Sequence, residues 1–190
     1  VLLLQLACSR KNEKLPDVTF DLVRFERLFY ELPQDSIVQL QKTFPYFFPS
    51  ETPQKVWMNK QKDSLQLALY ESTKAIQTQS LTDDLQMLFG RFKKMFPKSD
   101  LPKKVITVVS DVDYNNKVID ADSLLLISVD VFLGKELPLY DGIPLYIREN
   151  MRPDQMMPQV AKVLSERCVD PVGERTFLAH MIYHGKKHWL

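Results

Sequence analysis

Apolar residues return at helical spacing in two central stretches of the chain. In residues 64–76 and again in residues 80–96 they recur every three or four positions, which predicts two amphipathic helices, and Pro97 closes the second. The same spacing predicts further helical segments at residues 36–42, 146–151, 154–168 and 175–190. Helices are therefore expected on both sides of the middle section of the chain.

The middle section follows a strand-like pattern instead. Runs of β-branched and aliphatic residues, bounded by turns that contain Asn and Asp, predict strands at residues 105–109, 117–119 and 124–129. An alternation of apolar and polar residues predicts another strand at residues 17–24, followed by an aromatic turn at residues 25–30. We expect an α+β fold in which helices flank a small, mainly antiparallel strand meander.

Composition narrows the class of protein. The chain has 190 residues and 45% hydrophobic residues, enough for one globular domain with a real core. Its 25 basic and 24 acidic residues balance, so it lacks the basic footprint that is typical of a nucleic-acid-binding domain. With five glycines, it has neither a glycine-rich phosphate loop nor a Gly-x-Ser-x-Gly motif, and nucleotide chemistry is unsupported.

The N-terminal stretch joins a short apolar run to a cysteine. Residues 1–7 are apolar apart from Gln5, and this run is far shorter than the ~20 residues that a membrane span needs. Leu6 and Ala7 before Cys8 resemble the lipobox of bacterial lipoproteins, in which the signal peptide is removed and the cysteine is acylated; Gln5 departs from that pattern. The alternative is a frayed apolar strand or cloning remnant with an incidental cysteine.

The lipobox interpretation divides the chain into three parts. Residues 1–7 are a signal-peptide remnant, residues 8–16 are the lipidated cysteine and a polar tether, and residues 17–190 are a single α+β domain that we expect to be truncated at its C-terminus. A cysteine that carries several acyl chains anchors a protein firmly. Ser9 follows Cys8 where some lipoproteins have Asp, which by resemblance to lipoprotein sorting signals implies the outer membrane, facing the periplasm.

Three histidines are the one unusual chemical feature. His180, His184 and His188 follow one another at i, i+4 spacing on a predicted helix, so two imidazoles could hold one metal. However, Met181 stands where a His-Glu-x-x-His motif needs its general-base glutamate. We favour a solvated or interface helix face, with no catalytic residue, metal or cofactor; a metal-dependent hydrolase of peptidase-like fold is the alternative.

Other candidate residues have ordinary interpretations. The aspartates near the predicted strands miss the calcium-loop spacing, so we interpret them as turn-forming and strand-capping residues rather than a cation site. They are Asp111, Asp113, Asp120, Asp122 and Asp130. Cys168 is interpreted as a buried core thiol, since it shares the apolar side of its helix, and not as a nucleophile. Residues 44–49 form an aromatic cluster that we interpret as packing rather than as a binding surface.

Several segments together resemble the gliding motility-associated lipoprotein GldB family. The most specific is LLLISVDVFLGKELPLYDGIPLYIRENM at residues 124–151, and VRFERLF, SDVDY and MIYHGK add to it at residues 23–29, 110–114 and 181–186. The resemblance runs from about Cys8 to Leu190. It implies a palmitoylated, lipid-anchored cell-envelope protein that supports surface gliding beside the secretion and motility apparatus, with protein components of that apparatus as partners and no small-molecule substrate.

A second resemblance concerns the order of elements. A strand meander, a helix and then a helix with a Tyr-x-Gly-Lys step at residues 183–186 resemble a zinc-peptidase core. The predicted helix at residues 154–168 contains no histidine, and His184 stands where that core has a glutamate ligand. This similarity implies a degenerate scaffold that now serves binding or assembly, with residues 44–48 or the last helix as candidate contact faces.

Overall fold

The computed structural model describes residues 14–169 and 176–189, which form an α+β fold with helices on both faces of a four-stranded sheet. Its strands are β1 (Asp21–Arg24), β2 (Lys104–Val108), β3 (Val118–Ala121) and β4 (Leu124–Ser128). Its helices are α1 (Phe25–Glu31), α2 (Ile37–Thr43), α3 (Gln54–Lys62), α4 (Ser64–Thr73), α5 (Thr78–Met95), α6 (Leu145–Arg148), α7 (Met156–Ser165) and α8 (Phe177–Trp189). Residues 1–7 and Cys8 lie outside the described residues.

The sheet is mixed, so the prediction of a mainly antiparallel meander is wrong. The strand order is β1-β2-β4-β3; β1 and β4 each pair with β2 in parallel, and only the β3–β4 pair is antiparallel. The apolar content of the strands explains the order. Leucines and an isoleucine occupy both faces of β4, which suits an interior position, whereas Asp120 and the exposed Ile119 suit β3 to the edge.

Each face of the sheet carries its own core. On one face, Leu125 and Ile127 of β4 pack with Val105 of β2 under α5 and α7. On the other face, Ile106 packs under the phenylalanines of α1, α2 and the aromatic cluster. Because neighbouring residues of a strand point to opposite faces, β2 and β4 each supply residues to both cores.

The helices match the predicted periodicity in most places. α4, α5 and α8 fall within or close to their predicted ranges, and α7 begins after a 3-10 turn at Pro153–Gln155 and ends at Ser165. The predicted aromatic turn at residues 25–30 is instead α1, whose Phe25 and Phe29 face the core one turn apart. α3 was not predicted, because its outward-facing residues are polar and its apolar residues are few.

The N-terminal end of the described chain lies against α5. Leu15 packs beside Gly90, where a Cβ atom would come within 3.2 Å of the Cβ of Leu15. One helical turn earlier, the Gln86 amide donates hydrogen bonds to the Asp17 carboxylate at 2.9 Å and to the Val18 carbonyl at 2.7 Å. The chain therefore runs antiparallel to α5 before it enters β1.

Replacing Gly90 should loosen this N-terminal contact. The new Cβ of Gly90→Ala would lie 3.1 Å from the Pro16 carbonyl oxygen, so the segment must shift, while alanine favours the helix itself by about 1 kcal/mol. We expect little change in the free energy of unfolding but faster trypsin cleavage after Lys14, measured by mass spectrometry. Gly185→Ala is the matched control, because no described atom lies within 4 Å of its new Cβ. Equal cleavage rates for Gly90→Ala and the wild type would contradict the packing role.

Candidate functional site

The carboxyl ends of the three parallel strands meet at one edge of the sheet. Beyond β1 comes α1, which starts with Phe25 and Glu26; beyond β2 come Val109 and Ser110; and beyond β4 comes Asp130. In sheets with parallel strands, ligands bind outside the carboxyl ends, where the connections diverge. This edge is therefore the first place to examine for a binding site.

An aromatic pocket of about 190 Å³ opens at this edge. It lies between α1, the aromatic cluster, α3 and the end of β2, and is lined by Phe25, Glu26, Phe29, Tyr30, Phe47, Phe48, Trp57, Lys60, Val108 and Val109. Its rings contact one another closely, with centroids 4.4 Å apart for Phe25 and Phe47 and 5.0 Å apart for Phe48 and Trp57. A cavity of about 150 Å³ with apolar walls is large enough to hold a benzene ring, so this pocket has room for one aromatic or branched side chain.

Two polar features border the aromatic pocket. At its rim, the Lys60 ammonium donates to both carboxylate oxygens of Asp111 at 2.8 and 2.9 Å. The indole nitrogen of Trp57 is buried and has no hydrogen-bond partner among the described residues.

Tyr30 also lines the pocket. Burial, reinforced by the negative charges of Asp111 and Asp130, raises the pKa of Tyr30. The tyrosine is therefore a neutral phenol over the whole physiological pH range.

A buried ion pair lies beneath the aromatic pocket, where β1 ends and α1 begins. Glu26 accepts a hydrogen bond from the Arg24 guanidinium at 2.5 Å and another from the Thr107 hydroxyl at 2.7 Å. Arg24 also donates to the Ile76 carbonyl at 2.9 Å and to the Thr78 hydroxyl at 3.2 Å. Both carboxylate oxygens of Glu26 are thus engaged in joining β1, β2 and the α4–α5 connection, which makes its role structural.

The loop after β2 is strained and is held by one buried carboxylate. Asp111 and Val112 have φ angles of 62° and 59°, a left-handed conformation that is unfavourable for a β-branched residue. The fully buried Asp130 accepts hydrogen bonds from the Ser110 amide at 3.0 Å and the Val112 amide at 2.7 Å. Burial raises the pKa of Asp130, although these donors oppose the shift. Strain of this kind costs of order 1–3 kcal/mol and concentrates at functional sites.

The predicted aspartates do not gather into a cation site. Asp111 pairs with Lys60, Asp113 accepts from the Asn116 side chain, and Asp120 pairs with Arg167, whose guanidinium also reaches the Asp122 carbonyl. Within residues 14–169 and 176–189, no three His, Cys, Asp or Glu residues lie close enough to hold a metal ion. Asp113 also accepts hydrogen bonds from the Asn115 and Asn116 amides, as a turn-forming aspartate does, whereas Asp111 and Asp120 are held in ion pairs.

The histidine face lies far from the aromatic pocket in the fold. His180 and His184 are exposed on α8, while the His188 side chain is not among those described. α8 contacts α7 through an ion pair between Lys187 and Glu166. The structure lends no support to the zinc-peptidase-like scaffold or to the hydrolase alternative.

The structure agrees only in part with the predictions of a buried thiol at Cys168 and of a packing role for the aromatic cluster. Cys168 packs against the first core but is only half-buried, and its sulfur lies 3.2 Å from the Ser99 hydroxyl oxygen beyond the end of α7. Phe44 and Phe48 are buried, which confirms packing, whereas Phe47 lines the aromatic pocket. The cluster therefore contributes side chains to both the core and the lining of the pocket.

Sequence reasoning missed the residues that α1 and α3 contribute to the pocket. Trp57 and Lys60 come from the unpredicted helix α3, and Tyr30 from the segment that was predicted as a turn. A usable signal was present, because Trp57 and Lys60 are spaced i, i+3 and therefore share a helix face.

The fold is that of a small α+β domain with an aromatic pocket at one edge of its sheet, and the comparisons place it in a family. The family model described as "Gliding motility protein GldB", a lipoprotein family, matches residues 8–190. The chain therefore belongs to the GldB family of gliding-motility lipoproteins, as the sequence resemblance implied. No curated protein and no solved structure matches it. Among the described helices, none is both long enough and apolar enough to cross a membrane.

Removing the Asp130 carboxylate should destabilise the strained loop. Asp130→Ala leaves the partly buried amides of Ser110 and Val112 without acceptors, and each donor left unsatisfied away from water costs about 1–3 kcal/mol. We expect a loss of about 2–4 kcal/mol in the free energy of unfolding by urea. The control Asp141→Ala, at an exposed carboxylate, should change it by less than about 0.5 kcal/mol. Similar losses in both variants would show that Asp130 does not hold the loop.

Proposed function

We propose that this protein is a lipid-anchored, non-catalytic component of the bacterial gliding apparatus that binds a partner protein through the aromatic pocket. Acylated Cys8 holds it in the outer membrane, where the domain faces the periplasm. Its partners are protein components of the gliding and secretion machinery. The observation that carries the binding role is the aromatic pocket of about 190 Å³ at the carboxyl edge of the sheet.

Two observations support the anchor. The chain belongs to a family of gliding-motility lipoproteins whose match begins at Cys8. Cys8 follows Leu6 and Ala7, the order that the lipobox requires. An acylated cysteine of this kind anchors a domain without a membrane-spanning helix, because each buried methylene contributes about 0.8 kcal/mol.

The chemistry of the aromatic pocket supports protein binding. Its volume lies below the range of about 300–1,000 Å³ that small-molecule sites occupy, and it matches a single side chain. Interface centres are enriched in aromatic residues, and aromatic side chains make up most of the lining of this pocket. The charged groups nearest the pocket, Lys60 and Glu26, are already engaged in ion pairs. These features favour recognition over catalysis.

Removing the acylation site should release the protein from the membrane. We expect Cys8→Ala to lose incorporation of radiolabelled palmitate and to leave the membrane fraction after a high-salt wash, which strips proteins held by charge alone. The wild type should keep both properties under the same wash. A Cys8→Ala protein that stays in the washed membrane fraction and still carries label would contradict lipid attachment at Cys8.

Filling the aromatic pocket should abolish gliding without detaching the protein. Val109 lines the pocket, so the phenyl ring introduced by Val109→Phe would occupy the space that we assign to the partner's side chain. We expect a strain that lacks its own copy of the gene and expresses Val109→Phe to lose surface spreading, with the protein still present in the membrane fraction. The cost in stability should stay within the roughly 1–3 kcal/mol of a crowded core.

The control for pocket filling uses the same substitution on an exposed surface. Val38 lies on the outer side of α2 with 42% of its surface exposed, so Val38→Phe adds the same ring outside the pocket. This variant should glide normally. Normal gliding by the Val109→Phe strain as well would rule out the aromatic pocket as the contact site.

A further inference from the structure

A run of basic residues begins in the last turn and a half of α5 and continues to the first residue of β2. Residues 91–104 contain six basic residues and one acidic residue, a formal charge of +5 in a chain whose formal net charge is +1. We call this stretch the basic segment. Its basic residues are Arg91, Lys93, Lys94, Lys98, Lys103 and Lys104, all exposed except the half-buried Lys93. Positive charge is therefore concentrated at one end of an otherwise acidic molecule.

Much of this charge is not used inside the protein. Ion pairs with described residues are absent for Arg91, Lys98, Lys103 and Lys104. Elsewhere on the described surface, Lys60 and Lys135 each hold a carboxylate within 2.8 Å. These four side chains are thus available to attract an anionic partner.

The N-terminal chain lies beside the basic segment. Leu15 packs on Gly90, the residue immediately before the segment, and the Asp21 amide donates to the carbonyl oxygen of Lys103 at 2.9 Å. Because residues 15–18 run antiparallel to α5, the chain reaches Gly90 from the C-terminal end of that helix. The point at which the N-terminal chain joins the domain is therefore bordered by the basic segment.

We propose that the basic segment is the membrane-facing surface of this protein and that it binds the head groups of anionic lipids. This inference rests on the lipid anchor proposed above. The eight residues from Cys8 to Leu15 span at most about 25 Å when fully extended, so an acylated Cys8 holds the domain close to the bilayer. Each basic residue near an anionic surface adds about 1 kcal/mol, or about fivefold in partitioning.

Exposed methionines strengthen the match to a lipid surface. Met87 and Met95 of α5 are 48% and 43% exposed, one shortly before the basic segment and one within it. Flexible apolar side chains flanked by Lys and Arg suit the boundary between head groups and acyl chains.

The proposed orientation also places the aromatic pocket away from the membrane. β1 and β2 are parallel, so their amino ends, at Asp21 and Lys104, share one edge of the sheet with the basic segment. The pocket borders their carboxyl ends, roughly 17 Å away along a strand of five residues. A partner could thus reach the pocket while the opposite edge rests on lipid.

The test uses the full chain carrying Cys8→Ala, so that its outcome does not depend on acylation. The protein is co-sedimented with phosphatidylcholine vesicles that do or do not contain phosphatidylglycerol, at low and at high salt. We expect binding only to the phosphatidylglycerol vesicles, and a loss of binding at high salt. Equal binding to both kinds of vesicle, or to neither, would overturn the proposal and leave the anchor, tested by palmitate labelling, unaffected.

Charge reversal locates the binding surface. The triple variant Arg91→Glu, Lys98→Glu, Lys103→Glu should lower partitioning to anionic vesicles at least tenfold. The control triple variant changes the net charge by the same amount at exposed lysines of α2 and α3. It should lower partitioning to anionic vesicles by no more than about threefold. It carries Lys42→Glu, Lys55→Glu and Lys62→Glu. Equal losses in the two variants would overturn the assignment of the surface.

A second measurement requires no substitution in the basic segment. Acetic anhydride labels exposed lysines, and vesicle binding should protect Lys98 and Lys103 at least threefold while leaving Lys55 and Lys62 labelled as before, since contact excludes the reagent. Protection that is uniform over the four lysines would also overturn the assignment.

Discussion

The buried ion pair between Arg24 and Glu26 is the interaction on which the rest of this structure depends. It lies where β1 ends and α1 begins, and its carboxylate is the acceptor for Thr107 near the carboxyl end of β2. Removing one partner of a buried pair leaves an uncompensated charge and typically costs 3–5 kcal/mol. The pair therefore holds α1 over the sheet, and with α1 it holds one wall of the aromatic pocket.

A second constraint acts where β4 ends. Asp130 leaves the sheet directly after β4, and its carboxylate collects the amides of the loop that follows β2. The Tyr140 hydroxyl donates to the Asp130 carbonyl at 2.5 Å, so the chain after β4 is held from the other side. The strained conformation at Asp111 and Val112 persists because these bonds over-determine it, and Asp111 is thereby presented to Lys60 at the rim of the pocket.

The parallel arrangement of β1, β2 and β4 separates the two proposed functions in space. Parallel strands bring all their amino ends to one edge and all their carboxyl ends to the other. The basic segment and the N-terminal chain lie at the amino edge, and the aromatic pocket lies at the carboxyl edge. Lipid attachment and partner binding can therefore occur together on a domain with a sheet of only four strands.

The amino-acid pattern alone was enough to predict most of the local elements and the family. Helical periodicity predicted α4, α5 and α7, and β-branched runs predicted β2 and β4, because those patterns reflect which face of each element is buried. The motif in residues 124–151 was specific enough to indicate the GldB family, which the family match confirmed. The aromatic cluster was recognised, and its packing role was predicted for Phe44 and Phe48.

The pairing of the strands and the set of residues that meet at the pocket became evident in the folded chain alone. Glu26 and Thr107 are 81 positions apart, and neither residue type indicates the other. The insertion of β4 beside β2 follows from burial on both faces of the sheet, a property of the assembled helices and not of the strand alone. Local pattern reports how an element is exposed, whereas strand order and pocket composition depend on long-range packing that no short window of sequence contains.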